Sequence, residues 1–399
     1  MTRSAAESRG LPETGHVELG PSRILMVCGG FFPETGGIET HVYETSRRLS
    51  ARGATVGVLT TDKTGQLPKR EQLEGVSIVR VPAWPRSSDV RFAPGVFKEI
   101  TRGGWDLVHV QGYHTFVAPL AMAAAKRARL PFVVTFHSGG HSSRLRNALR
   151  FPQHLVLGPL VRSASQIIGV SQYEATFFGR RMSLGRDKIV VVPNGGDLPR
   201  PTPTMARNDD KQLIVSIGRL VRYKGHQRAI EAMPHVLRRL PDARLHILGE
   251  GPYEGELRRL VRRLGLIDHV TIAPIASGDR RAMADFLASA SLVVLFSDYE
   301  AHPVAAMEAL SLRRKTIASN TTGFREMIES GHVRGAPAAA SAEERARLMI
   351  EALEDDHIPE PFELPTWDDC VDRLAAIYRN VLDARSKRPI NASLFQATG

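Results

Sequence analysis

The chain has 399 residues, 42% apolar and 24% charged, with a formal charge of +11 and an isoelectric point near 10.0. That length exceeds what one hydrophobic core usually serves, so two domains or one large one are expected, and the composition is that of a globular protein rather than a disordered or fibrous one. The positive balance predicts a surface that draws anions; nucleic acid is the weakest candidate partner, because no zinc-finger, RNP-type or basic-zipper signature accompanies the scattered arginines.

Residues 1–21 are polar and mixed and read as a disordered tail without the apolar core of a signal peptide. RILMVCGG then gives an apolar strand, Ile24 to Cys28, followed by a helix that opens at Gly36 and Gly37, carries Ile38, Val42 and Leu49, and stops at Gly53. A strand, a glycine turn and a helix start make an anion-binding construction, although the pair lacks the spacing of a dinucleotide fingerprint and a simple turn is the other reading. Alternation continues with strands at 54–60, 76–84, 106–112, 132–138, 165–171 and 188–197, and with helices at 94–102, 117–128 and 172–182. Between them lies a basic, leucine-rich helical region over 142–164. Strands alternating with helices predict a parallel sheet, so residues 22–198 read as one Rossmann-like domain.

Periodicity vanishes over the proline-rich residues 199–211, a linker, and the same grammar restarts. Strands at 212–220, 244–251, 270–275, 291–297 and 315–320 alternate with helices at 225–240, 253–264, 279–288, from Glu300 onward and at 323–329. Residues 212–366 are thus a second Rossmann-like domain, a C-terminal helix covers 367–383, and 384–399 form a second disordered tail. The fold class expected is α/β, two Rossmann-like domains facing across a cleft. Two distant cysteines, Cys28 and Cys370, suggest neither a disulfide framework nor a metal site, so a cytoplasmic location is expected. No apolar run is long enough to span a bilayer.

Two constellations carry chemistry. GRLVRYKG (218–225) follows a strand and precedes a helix, placing Arg219 and Lys224 at the carboxyl edge of the second sheet; a guanidinium fork and an ammonium there suit a diphosphate, and a loop that is basic only because the chain is basic is the bland reading. In LFSDYEAHPVAAMEAL (295–310) an apolar strand opens toward a helical pattern holding Glu300 and Glu308. Their spacing is a little over two helical turns, which puts both carboxylates on one face if the helix opens at Glu300. The helix start can receive a phosphate and the deeper acid a pair of ribose hydroxyls; a dipole-complementing acid and an exposed helix residue are the alternatives.

Taken with GGIE (36–39), VVTFH (133–137) and VVPNGGD (191–197), these stretches resemble a family 4 glycosyltransferase of the GT-B fold over roughly residues 22–382. The resemblance implies transfer of a sugar from a nucleotide-diphosphate sugar to an acceptor hydroxyl, with retention of configuration and with neither cofactor nor metal. A sugar-nucleotide epimerase or phosphorylase of similar fold, or a non-catalytic nucleotide-sugar-binding protein, are the competing functions. It implies that Arg219 and Lys224 stabilise the departing diphosphate and that Gly36 and Gly37 bring backbone donors toward it. His137 and Glu300 would meet the transferred sugar, Glu308 the ribose, and Ile275 the base through its backbone. Asn194 would lie near the cleft, and His302 and Val304 at the phosphate-facing helix start. Glycan, lipid-linked sugar and small glycoside are the acceptor classes. The stretch 142–165, with Arg144, Arg146, Arg150 and Arg162 among leucines, suits peripheral contact with the inner membrane face, or else an ordinary helix pair with a solvated basic side. Three stretches depart from the family pattern: His302-Pro303 replaces an aromatic-glycine pair, Arg313 and Lys315 stand for glycine and proline, and Thr322-Gly323 stands for paired glycines.

Overall fold

The computed structural model describes residues 18–86, 90–113, 115–137, 157–202, 212–361 and 363–387. Two sheets organise them. The first contains β1 (Arg23–Val27), β2 (Thr55–Asp62), β3 (Arg70–Leu73), β4 (Val76–Pro82), β5 (Leu107–Gln111), β6 (Phe132–Phe136), β7 (Gln166–Gly169) and β8 (Ile189–Val191), in the order β3-β4-β2-β1-β5-β6-β7-β8. The second contains β9 (Leu213–Ile217), β10 (Arg244–Leu248), β11 (Val270–Ala273), β12 (Leu292–Leu295), β13 (Lys315–Ser319) and β14 (Arg334–Ala336), in the order β11-β10-β9-β12-β13-β14. Every pairing is parallel except that of β3 with β4. These are the two Rossmann-like units expected.

The central strands are buried on both faces because helices cover both faces. Along β1, Ile24 and Met26 enter the core that holds Val42 and Leu49 of α1 (Gly37–Ala51). Leu25 and Val27 point the other way, into the core that holds Val96 and Ile100 of α2 (Gly95–Arg102) and Ala121 of α3 (Val117–Arg127). A period of two thus distributes one strand between two helix layers. Helix α4 (Gln172–Arg181) completes the labelled helices of this domain, and residues 157–162 are also helical. In the second domain α5 (His226–Leu237), α6 (Glu254–Arg263), α7 (Arg280–Ser289), α8 (Val304–Ser311), α9 (Arg325–Glu329) and α10 (Ala342–Glu354) surround the sheet.

The last helix, α11 (Trp367–Ser386), returns to the first domain. Tyr378 reaches His109 of β5 at 2.5 Å, and Arg52 pairs with Asp368 at 3.0 Å and with Asp372. This helix outruns the expected 367–383, so residues 384–386 belong to it rather than to a tail. At the other end Leu19 is already buried, which shortens the expected 1–21 tail. The domains meet at residues 194–197. Gly196 N–H donates to the Pro365 carbonyl at 3.0 Å, and Trp367 N–H to Asp197 Oδ1 at 2.5 Å. A side-chain carbon at Gly195 would lie 2.2 Å from the Trp367 nitrogen, and one at Gly196 2.3 Å from Met307 Cβ of α8. The Gly-Gly pair therefore lets three elements from both domains touch.

Three elements lie outside the periodicity reading. β3 and β14 are short, with no apolar run to announce them. Helix α10 has a legible signal, since Ser341 and Glu344 form a capping box. One boundary needs correction: the helix expected from Glu300 begins at Val304, capped by Pro303, so Glu300 sits in the preceding loop and shares no helix face with Glu308.

Candidate active site

Between the domains opens a cleft of about 1580 Å³. Lining it are Gly36, Gly37, His137, Asn194, Arg219, Lys224, Ile275, Glu300, His302, Val304 and Glu308, so the residues expected to meet the donor come to one place. The two walls differ in construction.

The second-domain wall is charged. After β9, residues 218–225 form a tight loop whose last residue, Gly225, has φ +77°; a side chain there would strike the Phe296 carbonyl at 1.9 Å. Only glycine closes this turn. The loop presents Lys224 Nζ 2.6 Å from Glu300 Oε1, and Ser297 Oγ donates to the same oxygen at 2.7 Å. Beside them Arg228 pairs with Asp298 at 2.5 Å and donates to the Phe296 carbonyl at 2.6 Å. Tyr223 and Tyr299 stack with centroids 4.8 Å apart, and Arg219 reaches the Tyr223 hydroxyl at 3.4 Å.

Deeper in this wall is the start of α8. Because Pro303 is the cap, its missing N–H removes no amide from the helix itself; Val304 and Ala305 supply the first two, and both line the cleft. His302 stands next to them with Nδ1 buried and without a partner among the described residues, and burial pushes the imidazole down to about 4. The neighbouring departures also resolve. Arg313 takes the left-handed φ of +57° that a glycine would adopt more cheaply, Lys315 Nζ donates to the Ala352 carbonyl at 2.9 Å, and Gly323 packs against the Glu300 backbone.

Glu308 is 4% exposed, and its Oε1 lies 2.6 Å from Arg280 Nη2. Burial pushes this carboxyl up while the guanidinium pulls it down. Ile275 follows β11 in a half-buried loop, where Ser277 Oγ reaches the Pro33 carbonyl of the first domain at 2.6 Å.

The first-domain wall is mostly neutral and hydrogen-bonded. His137, just past β6, has Nε2 2.7 Å from Gln111 Oε1. Gln111 Nε2 lies 3.2 Å from His109 Nδ1, and His109 Nε2 lies 2.6 Å from Thr135 Oγ1. His41 of α1 has Nδ1 2.9 Å from Asn194 Oδ1 and its ring edge-on to His137 at 4.8 Å. Burial, the largest cause, drives His41 down to about 4, partly offset by Asn194.

At the GGIE turn, Gly36 caps α1 and leaves room for Glu39, whose carboxylate would contact any side chain there at 2.5 Å. Burial raises Glu39, and Arg219, facing it across the cleft, is the largest opposing influence. The backbone donors expected of Gly36 and Gly37 therefore share the helix start with the Glu39 carboxyl group, toward which its own N–H also contributes. His41, Gln111 and Arg280, and the Arg280 contact of Glu44, are not announced by any local pattern because the partners are remote in sequence. Of the basic stretch 142–165, residues 142–156 lie outside the described residues. Among the described residues, no helix is long and apolar enough to cross a membrane.

Residues 35–200 match the model of Glycosyltransferase Family 4, and residues 203–363 that of Glycosyl transferases group 1. A D-inositol 3-phosphate glycosyltransferase of Xylanimonas cellulosilytica is 28% identical, over 74% of this chain and 78% of its own. A GDP-mannose:cellobiosyl-diphosphopolyprenol alpha-mannosyltransferase of Komagataeibacter xylinus is 26% identical, over 83% and 86%. Among solved structures, Anabaena HepE in complex with UDP-glucose superposes with a TM-score of 0.68 at 20% identity, over 92% of this chain and 100% of the other.

Proposed function

Because the chain belongs to the family 4 glycosyltransferases and has their GT-B fold, we propose that it moves a sugar from a nucleoside-diphosphate sugar to an acceptor hydroxyl, with retention and without a metal. The observation that carries this reading is the Lys224–Glu300 pair, set beside Arg219 and the first amides of α8 at one end of the cleft. Two cations and a helix start supply the positive field that a leaving diphosphate needs where a divalent ion would otherwise serve. The bond from the sugar's anomeric carbon to the diphosphate oxygen breaks, a bond to the acceptor oxygen forms, and the acceptor proton passes to the leaving diphosphate. Glu300, released from Lys224 by the incoming phosphate, takes sugar hydroxyls together with His137. Glu308 takes the ribose and the backbone of Ile275 the base.

The relatives' names support a nucleotide-sugar donor, one specifying GDP-mannose and one solved neighbour holding UDP-glucose. For the acceptor, exposed Trp84, Val90, Phe92 and Phe116 gather beside the first-domain wall: Trp84 and Phe92 exchange backbone hydrogen bonds, and Phe116 N–H donates to the Val90 carbonyl at 2.9 Å. An apolar cluster next to a sugar site favours a lipid-linked sugar, presented at a membrane surface, over a free glycoside. The test is a panel of UDP-, GDP- and ADP-sugars against free glycosides and polyprenyl-diphosphate sugars in vesicles, with chelator present and with product mass and anomeric configuration read out. Transfer from a nucleotide sugar with retention is expected. Inversion, or activity only with an added divalent cation, overturns the corresponding part of the reading.

A further inference from the structure

Arg280 opens α7 in the second domain, and its guanidinium stands between two carboxylates that belong to different domains. Nη2 lies 2.6 Å from Glu308 Oε1, and Nε lies 2.9 Å from Glu44 Oε1 of α1. The side chains are 13% exposed for Arg280, 5% for Glu308 and 2% for Glu44. The Nε contact is a close ion pair rather than an aligned hydrogen bond. The other oxygen of Glu44 receives Arg47 at 2.6 Å and also Arg48, which in turn reaches Asp197 at the domain junction, 3.5 Å away. Burial by itself would lower Arg280, but Glu308 and then Glu44 carry it above its ordinary value, so the group stays cationic.

We propose that Arg280 is a positioning residue that aims Glu308 at the donor's ribose and transmits occupancy of that site to the first domain through Glu44. The proposal rests on the ribose reading of Glu308. A carboxylate this deep holds its charge and orientation only with a partner, and the partner chosen here is shared with the opposite domain. A diol arriving at Glu308 draws on the same carboxylate that Arg280 holds, so ribose binding and the Arg280–Glu44 contact are energetically linked, and linkage is reciprocal. The planar guanidinium is suited to bridging two carboxylates, which a lysine ammonium on one flexible stem does less well.

The test uses the full chain and measures dissociation constants for UDP, GDP and ADP by calorimetry, with thermal melts as the fold control. Glu44→Gln removes only the first-domain arm and leaves the Glu308 partner in place. A loss of roughly 3- to 10-fold in nucleotide affinity is expected from it, about 0.6–1.4 kcal/mol. Arg280→Lys should lose a similar amount, and Arg280→Ala more. In a double-mutant cycle, Glu44→Gln and Glu308→Gln should couple when Arg280 is present and become additive in an Arg280→Lys background. A merely structural clasp would lower the melting temperature of the Glu44→Gln protein and leave its nucleotide affinity within twofold of wild type, which overturns the proposal while sparing the ribose reading. Persistence of the coupling without the arginine overturns it also. Failure of the unmutated chain to bind UDP, GDP or ADP overturns the ribose reading and this inference together.

Discussion

The two walls of the cleft solve different problems with different chemistry. On the second-domain side, charges sit on loops at the carboxyl edge of a parallel sheet and are paired with one another: Lys224 with Glu300, Arg228 with Asp298. On the first-domain side the polar groups are mostly imidazoles and amides in a hydrogen-bonded lattice, His41 on Asn194 buried and His137 on Gln111 half-buried at the cleft surface. A charged wall whose members neutralise each other can release them to an incoming anion at small cost, whereas a neutral lattice holds its geometry and resists rearrangement. One wall is built to stabilise charge and the other to orient.

If that division is right, the largest effect comes from the charged side. Lys224→Ala or Arg219→Ala should cut turnover roughly ten- to hundredfold, because one charge-assisted contact to a diphosphate contributes about 1.5–3 kcal/mol. The fold should survive, since both side chains reach into the cleft rather than the core. Steady-state kinetics with unchanged melting temperature would sharpen the contrast. Rates within threefold of wild type in both variants would remove the cations from the mechanism.

The same division explains what the sequence disclosed. Arg219, Lys224 and Glu300 belong to short contiguous stretches, each at the end of an apolar strand, so a local reading finds them. The neutral wall is assembled from pairs 26 and 153 residues apart, His137 with Gln111 and His41 with Asn194, which no local pattern announces. Alternation of strands and helices gave both domains. The start of α8 is less legible: the stretch from Glu300 continues the helical pattern of 304–311 in composition, whereas the backbone turns helical only after Pro303.

A second effect belongs to the neutral wall and concerns stability. The folded pKa of His41, about 4, lies below the value near 6.5 that it has when exposed. The unfolded chain therefore binds the proton first as pH falls, and stability is highest above about 6.5 and declines toward 4. At pH 5 the expected loss is about 2 kcal/mol from this residue. His226, beside Lys224, is depressed to about 4 for the same first reason, burial, and adds to the trend. Denaturant titrations between pH 5 and 7.5 should show the decline, and His41→Gln should make the slope shallower. Parallel curves for the two proteins would mean that His41 is not held neutral in the fold.

The smallest effect tests orientation without charge. Gln111 is 5% exposed and accepts from His137 through Oε1, which sets Nε2 as the protonated nitrogen and fixes the ring plane. Its amide also reaches His109, which is tied to Tyr378 of the returning helix, so the position of His137 is anchored to an element outside the cleft. Gln111→Leu keeps much of the volume and removes the acceptor. Turnover should then fall about 5- to 10-fold, a cost near 1–1.4 kcal/mol, with the donor dissociation constant nearly unchanged, because orientation of a sugar contact is used in the transition state more than in nucleotide binding. Matching losses in donor binding and turnover would put His137 with the binding groups of the opposite wall. No loss at all would mean that the backbone of residue 137 acts there and its imidazole does not, and the contrast between a charged wall and an orienting one would then rest on His41 and Asn194 alone.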